Sequence, residues 1–120
     1  MPLPIDRPVN EQAVYARTTS IGASPVAGAT VATKRGRLQR AFAFSEGAST
    51  GTITITVAVN GTTVGTFAFT GGSNAFGSGE FPVLGASTPG DAVEGDIITF
   101  TPSGGGGATI PGHFYAVIRG

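Results

Sequence analysis

Few residues in this 120-residue chain could do chemistry: one histidine, a short run of acids and a glycine cluster, with no cysteine. His113 stands in Pro111-Gly112-His113-Phe114-Tyr115. An imidazole acting on a serine would need a strained nucleophile turn nearby, and none is written here. A metal would need further imidazole or thiolate ligands, which the chain lacks. On strand parity His113 shares a face with Tyr115, Val117 and Arg119, opposite Phe114, Ala116 and Ile118, and it reads as a surface or interface histidine. Asp91, Glu94 and Asp96 could offer oxygens to Ca²⁺, but they lack the alternate-position carboxylates of a calcium loop and read as a solvated turn entering a strand. Gly104 to Gly107 lack the Lys-Ser or Lys-Thr and the following helix of a phosphate loop. They read as a flexible loop joining two strands. The expectation is no enzyme, no metal and no cofactor.

The one charge cluster is Lys34-Arg35-Gly36-Arg37-Leu38-Gln39-Arg40. No aromatic is interleaved and the chain is neutral overall, so nucleic acid is not the expected partner. Arg37 and Gln39 should face away from Leu38. The cluster is either the rim of a sheet or a docking face for an acidic protein surface. Residues 1–40 carry six basic and two acidic residues, and residues 41–120 carry one basic and five acidic, so the parts are about +4 and −4. Such asymmetry suits an acidic partner, or complementary contacts between copies of one chain.

The elements that must position these residues are strands. In residues 52–70, TITITVAVNGTTVGTFAFT, apolar Ile53, Ile55, Val57 and Val59 alternate with Thr52, Thr54 and Thr56, and Asn60-Gly61 accepts the positive φ of a tight hairpin. A two-residue loop in plain register would put Phe67 and Phe69 on the threonine face. A three-residue loop opposing Ile53 to Phe67, or a bulge near Gly65, keeps both inside. Further strands are predicted over residues 13–20, 27–33, 37–44, 80–84, 96–101 and 112–119, separated by Gly, Ser, Pro and Asn clusters. No helical periodicity with a cap is present. The fold class is all-β, an antiparallel β-sandwich, jelly-roll-like, of seven or eight strands over residues 13–120. Residues 1–12, with Pro2, Pro4 and Pro8, read as an extended arm. The expected core is Leu38, Phe42, Phe44, Ile53, Ile55, Val57, Phe67, Phe69, Phe81, Val83, Ile98, Phe100, Phe114, Ala116 and Ile118.

Composition fits one folded domain: 40% hydrophobic residues, eight Phe and a mean hydropathy of +0.21 exclude a disordered chain despite 20 glycines. Only 12% of residues are charged, about half the usual share, which suits either a β-surface in contact with neighbours or a merely Thr-rich soluble domain. The N-terminus has no apolar signal core and no run is long enough to span a bilayer, so the expectation is a protein made in the cytoplasm, not exported by the usual route and not membrane-bound.

Gly95 to Arg119, GDIITFTPSGGGGATIPGHFYAVIR, together with the hairpin ITVAVNGTTVGT, resembles small virion proteins of tailed bacteriophages that decorate or cement the capsid or form fibres on it. The resemblance covers roughly residues 50–120 and includes no functional motif. It implies a sandwich or jelly-roll displayed on a virion, commonly as a homotrimer, with an N-terminal segment used for anchoring. On that footing the partners are the chain itself and a major capsid protein. Capsid contacts then fall to the arm (Pro2, Pro4, Ile5, Arg7, Pro8, Val9) and the basic stretch (Lys34, Arg35, Arg37, Arg40), and self-contacts to His113 and Tyr115. The alternative is a glycan-binding fibre-tip module, for which the absence of Trp and the presence of only Tyr15 and Tyr115 are unfavourable.

Overall fold

Alternation is the rule of this chain wherever it is ordered into strands, and one break in that rule builds its most unusual surface. The computed structural model describes residues 11–33, 36–47, 49–72, 75–80, 91–92, 94–107 and 109–119. The strands, in chain order, are β1 (Glu11–Thr18), β2 (Gly28–Val31), β3 (Gly36–Ser45), β4 (Ser49–Thr50), β5 (Thr52–Val59), β6 (Thr62–Thr70), β7 (Phe76–Glu80), β8 (Asp91–Ala92), β9 (Ile97–Ser103), β10 (Gly106–Gly107) and β11 (Gly112–Arg119). No helix occurs among the described residues.

One sheet runs β1-β11-β3-β7, with β8 also on β3, and the other runs β2-β9-β5-β6; every pairing is antiparallel. Apart from the β5–β6 hairpin, the eight strands of these two orders alternate between the sheets along the chain in the jelly-roll manner, so β9 and β11, near in sequence, lie inside opposite sheets. The protein is an antiparallel β-sandwich with jelly-roll strand order.

The two inner faces differ in bulk. The β2-β9-β5-β6 sheet contributes Ile53, Ile55, Val57, Phe67, Phe69, Ile98 and Phe100, all buried. The facing sheet offers mostly smaller groups: Val14, Ala16, Ala41, Ala43, Ala116 and the backbone at Gly77 and Gly79, beside Leu38, Phe114 and Ile118. Large against small fills a sandwich about 10 Å thick without voids. At the sandwich edge a Cβ on Gly79 would lie 2.6 Å from Phe67 Cβ, so glycine lets β7 close on β6.

The hairpin turns on two residues, Asn60 (φ 50°) and Gly61 (φ 84°), and pairs Val59 with Thr62. A bulge at Val64 then shifts the register, so that Ile55 opposes Phe67 and Ile53 opposes Phe69. The bulge is therefore the device that keeps both rings inside; the three-residue loop is not used. Asn60 also ties the turn to β9, its Nδ2 donating to Asp96 Oδ1 and its Oδ1 accepting from the Ile97 N–H, both at 2.9 Å.

Three expectations are corrected. Gly106-Gly107 pair with Ser49-Thr50, so the glycine run is not a free loop. Phe76–Glu80 is a strand that its FGSGE sequence concealed, because two of its inward positions are glycines. Phe42 and Phe44 are not core residues, for the reason given next. The arm and the expected strand over residues 81–84, with Phe81 and Val83, lie outside the described residues.

Candidate functional site

Leu38 is buried, and simple alternation would bury Arg40, Phe42 and Phe44 with it. Instead β3 carries one extra residue. Val117 on β11 pairs with Arg40 and the adjacent Ile118 pairs with Leu38, leaving Gln39 as a bulge. Beyond it the parity is reversed: Ala41, Ala43 and Ser45 are buried, while Arg40, Phe42 and Phe44 turn outward. Bulk explains the outcome, since Phe44 and Phe42 inside would compete for space already filled by Phe67, Phe69 and Phe100.

The result is an aromatic surface on the outside of this sheet. Register aligns Arg17, His113, Phe44 and Phe76 in one row across β1, β11, β3 and β7, and Tyr15, Tyr115, Phe42 and Ser78 in the next. The rings pack in two groups, Phe42 with Phe76, and Phe44, His113, Tyr15 and Tyr115 together. Phe42 stacks on Phe76 (6.1 Å between centroids), Phe44 on His113 (4.7 Å), His113 on Tyr15 (5.7 Å), and Tyr15 tilts against Tyr115 (5.1 Å). Phe76 is 60% exposed and Tyr15 44%. A folded chain gains roughly 1.5–3 kcal/mol by burying such a side chain, and here that gain is only partly taken. Contiguous exposed rings of this kind mark binding surfaces.

Hydrogen bonds hold part of this surface rigid. His113 Nε2 meets Glu46 Oε2 at 2.6 Å, and Tyr15 Oη meets His113 Nδ1 at 2.5 Å. A carboxylate only accepts, so Nε2 carries the proton and donates to Glu46; with a neutral ring, Nδ1 then accepts from the Tyr15 hydroxyl. The order acid–imidazole–hydroxyl could serve proton transfer. The rings lie stacked on the outer face of the sheet. Their evident effect is to fix the tilt of Tyr15 and the plane of His113.

Beside the rings, the Gln39 bulge opens a cleft of about 190 Å³ lined by Gln39, Arg40, Phe42, Val117 and Arg119. The bulge sets Gln39 and Arg40 side by side on the same face, which a regular strand would not do. The opposite sheet presents a contrasting exterior: Thr52, Thr54, Thr56, Thr66, Thr70, Thr99 and Thr101 with Ala29, Ala58 and Ala68, and no charged residue among these positions.

No protein-family model matches this chain, and no curated protein matches it. Among solved structures, it is similar to a carbohydrate-binding module, CBM36, in complex with calcium and xylotriose. The identity is 17%, the TM-score 0.48, and the alignment covers 78% of this chain and 72% of that one. The calcium and the sugar belong to that protein; in this chain, no group of three or more metal-capable residues is gathered among the described residues.

Of the residues singled out from sequence, His113 and Tyr115 lie on the aromatic surface, and Arg40 and Arg37 on β3 beside it. Lys34, Arg35 and the arm residues Pro2, Pro4, Ile5, Arg7, Pro8 and Val9 lie outside the described residues. Tyr15, Phe42, Phe44 and Phe76 were not foreseen there. Tyr15 could have been found, since it alternates with buried Val14 and Ala16. The phenylalanines could not, because their facing depends on the bulge and on a glycine-rich strand.

Proposed function

We propose that this protein is a structural virion protein that decorates and stabilises a bacteriophage capsid, bound as a homotrimer at junctions between capsid subunits. One observation carries the reading: a jelly-roll sandwich leaves aromatic rings, flanked by arginines, exposed or half-buried on the outside of one sheet. Tyr, Phe and Arg are the residues that protein interfaces enrich, and they gain most when water is removed from them. The resemblance of Gly95–Arg119 to phage virion proteins points the same way, and that segment supplies the central strands β9 and β11. A trimer would multiply modest contacts into firm attachment, because each bound copy raises the effective concentration of the next.

Purified capsids with and without the protein test the reading. Association, with raised resistance to heat and chelators, is the expected outcome; no association, or association without added resistance, overturns it. The trimer has an expected mass of about 36 kDa, three times the 11.9 kDa chain, in light scattering.

A second reading, glycan recognition, is favoured by one feature: adjoining rings beside a polar cleft, the arrangement by which sugars stack and hydrogen-bond. Selective hits on a glycan array, lost on Tyr115→Ala, would promote it.

A further inference from the structure

We propose that the Gln39 bulge cleft binds a carboxylate-bearing sugar, a hexuronic acid unit of a longer saccharide. The inference rests on the glycan-recognition reading and names the ligand class for that surface. Among its lining residues, Phe42 and Val117 are apolar and offer a surface against which the C–H side of a pyranose can lie. The rest of the lining is polar: Gln39, Arg40 and Arg119. A guanidinium presents a planar fork that matches a carboxylate with two parallel hydrogen bonds. A carboxamide both donates and accepts, which is what ring hydroxyls require. Neutral sugars would use the apolar lining and Gln39 but would offer the arginines no carboxylate.

Size and position add to this. At about 190 Å³ the cleft is smaller than the roughly 300–1,000 Å³ of pockets that enclose a drug-sized ligand, so it accepts one ring of a chain. The neighbouring row, Phe42, Tyr115 and Tyr15, continues from the cleft across three strands and offers flat faces to the adjoining rings. The bulge itself is the specificity device: removing Gln39 would restore a regular pairing of Leu38 and Arg40 with Ile118 and Val117, leaving the aromatic row outward.

The experiment is an amide-shift NMR titration with calorimetry on the full chain, using trigalacturonate, neutral galactotriose and hexaglutamate as probes. Trigalacturonate is expected to shift Gln39, Arg40, Phe42 and Val117 and to bind at least about tenfold more tightly than galactotriose, weakening as salt rises. Arg40→Ala should remove that tenfold advantage, and Arg40→Lys should restore part of it. Deletion of Gln39 should abolish the preference for the acid; the unchanged amide spectrum of Arg40→Ala guards against misfolding as the cause. If both sugars bind equally and the shifts fall on Tyr15 and Tyr115 alone, the uronate assignment is wrong while glycan recognition stands. If neither sugar binds, both fail. Hexaglutamate binding as tightly as trigalacturonate would overturn the sugar in favour of an acidic peptide.

Discussion

The rings of Phe100 and Phe114 lie face to face across the interior, their centroids 5.0 Å apart and their planes within 5° of parallel. One comes from β9 and the other from β11, so this single stack joins the middle of one sheet to the middle of the other. Both side chains are fully buried. Phe100→Ala or Phe114→Ala should therefore cost on the order of 3–5 kcal/mol. That is a large part of the 5–15 kcal/mol that stabilises a typical domain. Urea unfolding measures it, and a loss below about 1 kcal/mol at both positions would show that the stack does not hold the sheets.

Gly79 tests the closed edge of the sandwich. A methyl group there would meet Phe67 Cβ at 2.6 Å and Cγ at 3.0 Å, the root of a buried ring that has little room to yield. Gly79→Ala should destabilise by roughly 1–3 kcal/mol. Gly72→Ala is the control: nothing lies within 4 Å of its added carbon, and a change within about 0.5 kcal/mol is expected. Equal midpoints for the two variants would contradict the close approach of β6 and β7.

The Asn60-Gly61 turn should be sensitive at both residues, for different reasons. Gly61 has φ 84°, where an added Cβ is strained by about 1–2 kcal/mol whatever the surrounding space. Asn60→Ala removes two side-chain hydrogen bonds to Asp96 and Ile97, each worth a net ~0.5–1.5 kcal/mol. Thermal unfolding should place Asn60→Ala and Gly61→Ala each below the parent protein, and an unchanged midpoint for Asn60→Ala would show that its two side-chain bonds do not hold the turn.

On the aromatic surface, stability and assembly should come apart. Phe76→Ser alters a ring that is 60% exposed, and unfolding should move by no more than about 0.5–1 kcal/mol. If the proposed capsid reading holds, self-association and capsid binding should weaken clearly, because that reading buries the ring's remaining area in the assembly. Tyr15→Phe keeps the ring and loses the donation to His113, so it should assemble nearly as the parent does. Light scattering across a concentration series separates the two variants, and identical assembly by Phe76→Ser would remove this face from the interface.

Sequence alone determined the strands of the hairpin, the final strand Gly112–Arg119 and the side each residue of it faces. It did so because period-two alternation is a local property: once Phe114 is inside, His113 and Tyr115 must be outside. The same logic misled at β3, where Leu38, Phe42 and Phe44 share a parity in the sequence but not in the sheet. Which of two consistent alternations continues past Gln39 depends on what already fills the interior, and that filling comes from Phe67, Phe69 and Phe100, residues distant in the chain. Nor could the sequence show that Phe76 would join Phe42, or that Glu46 would reach His113, 67 residues away. Strands announce themselves one at a time; the aromatic face and its cleft exist only where four of them meet, because only packing decides where a bulge relieves more crowding than it costs in pairing.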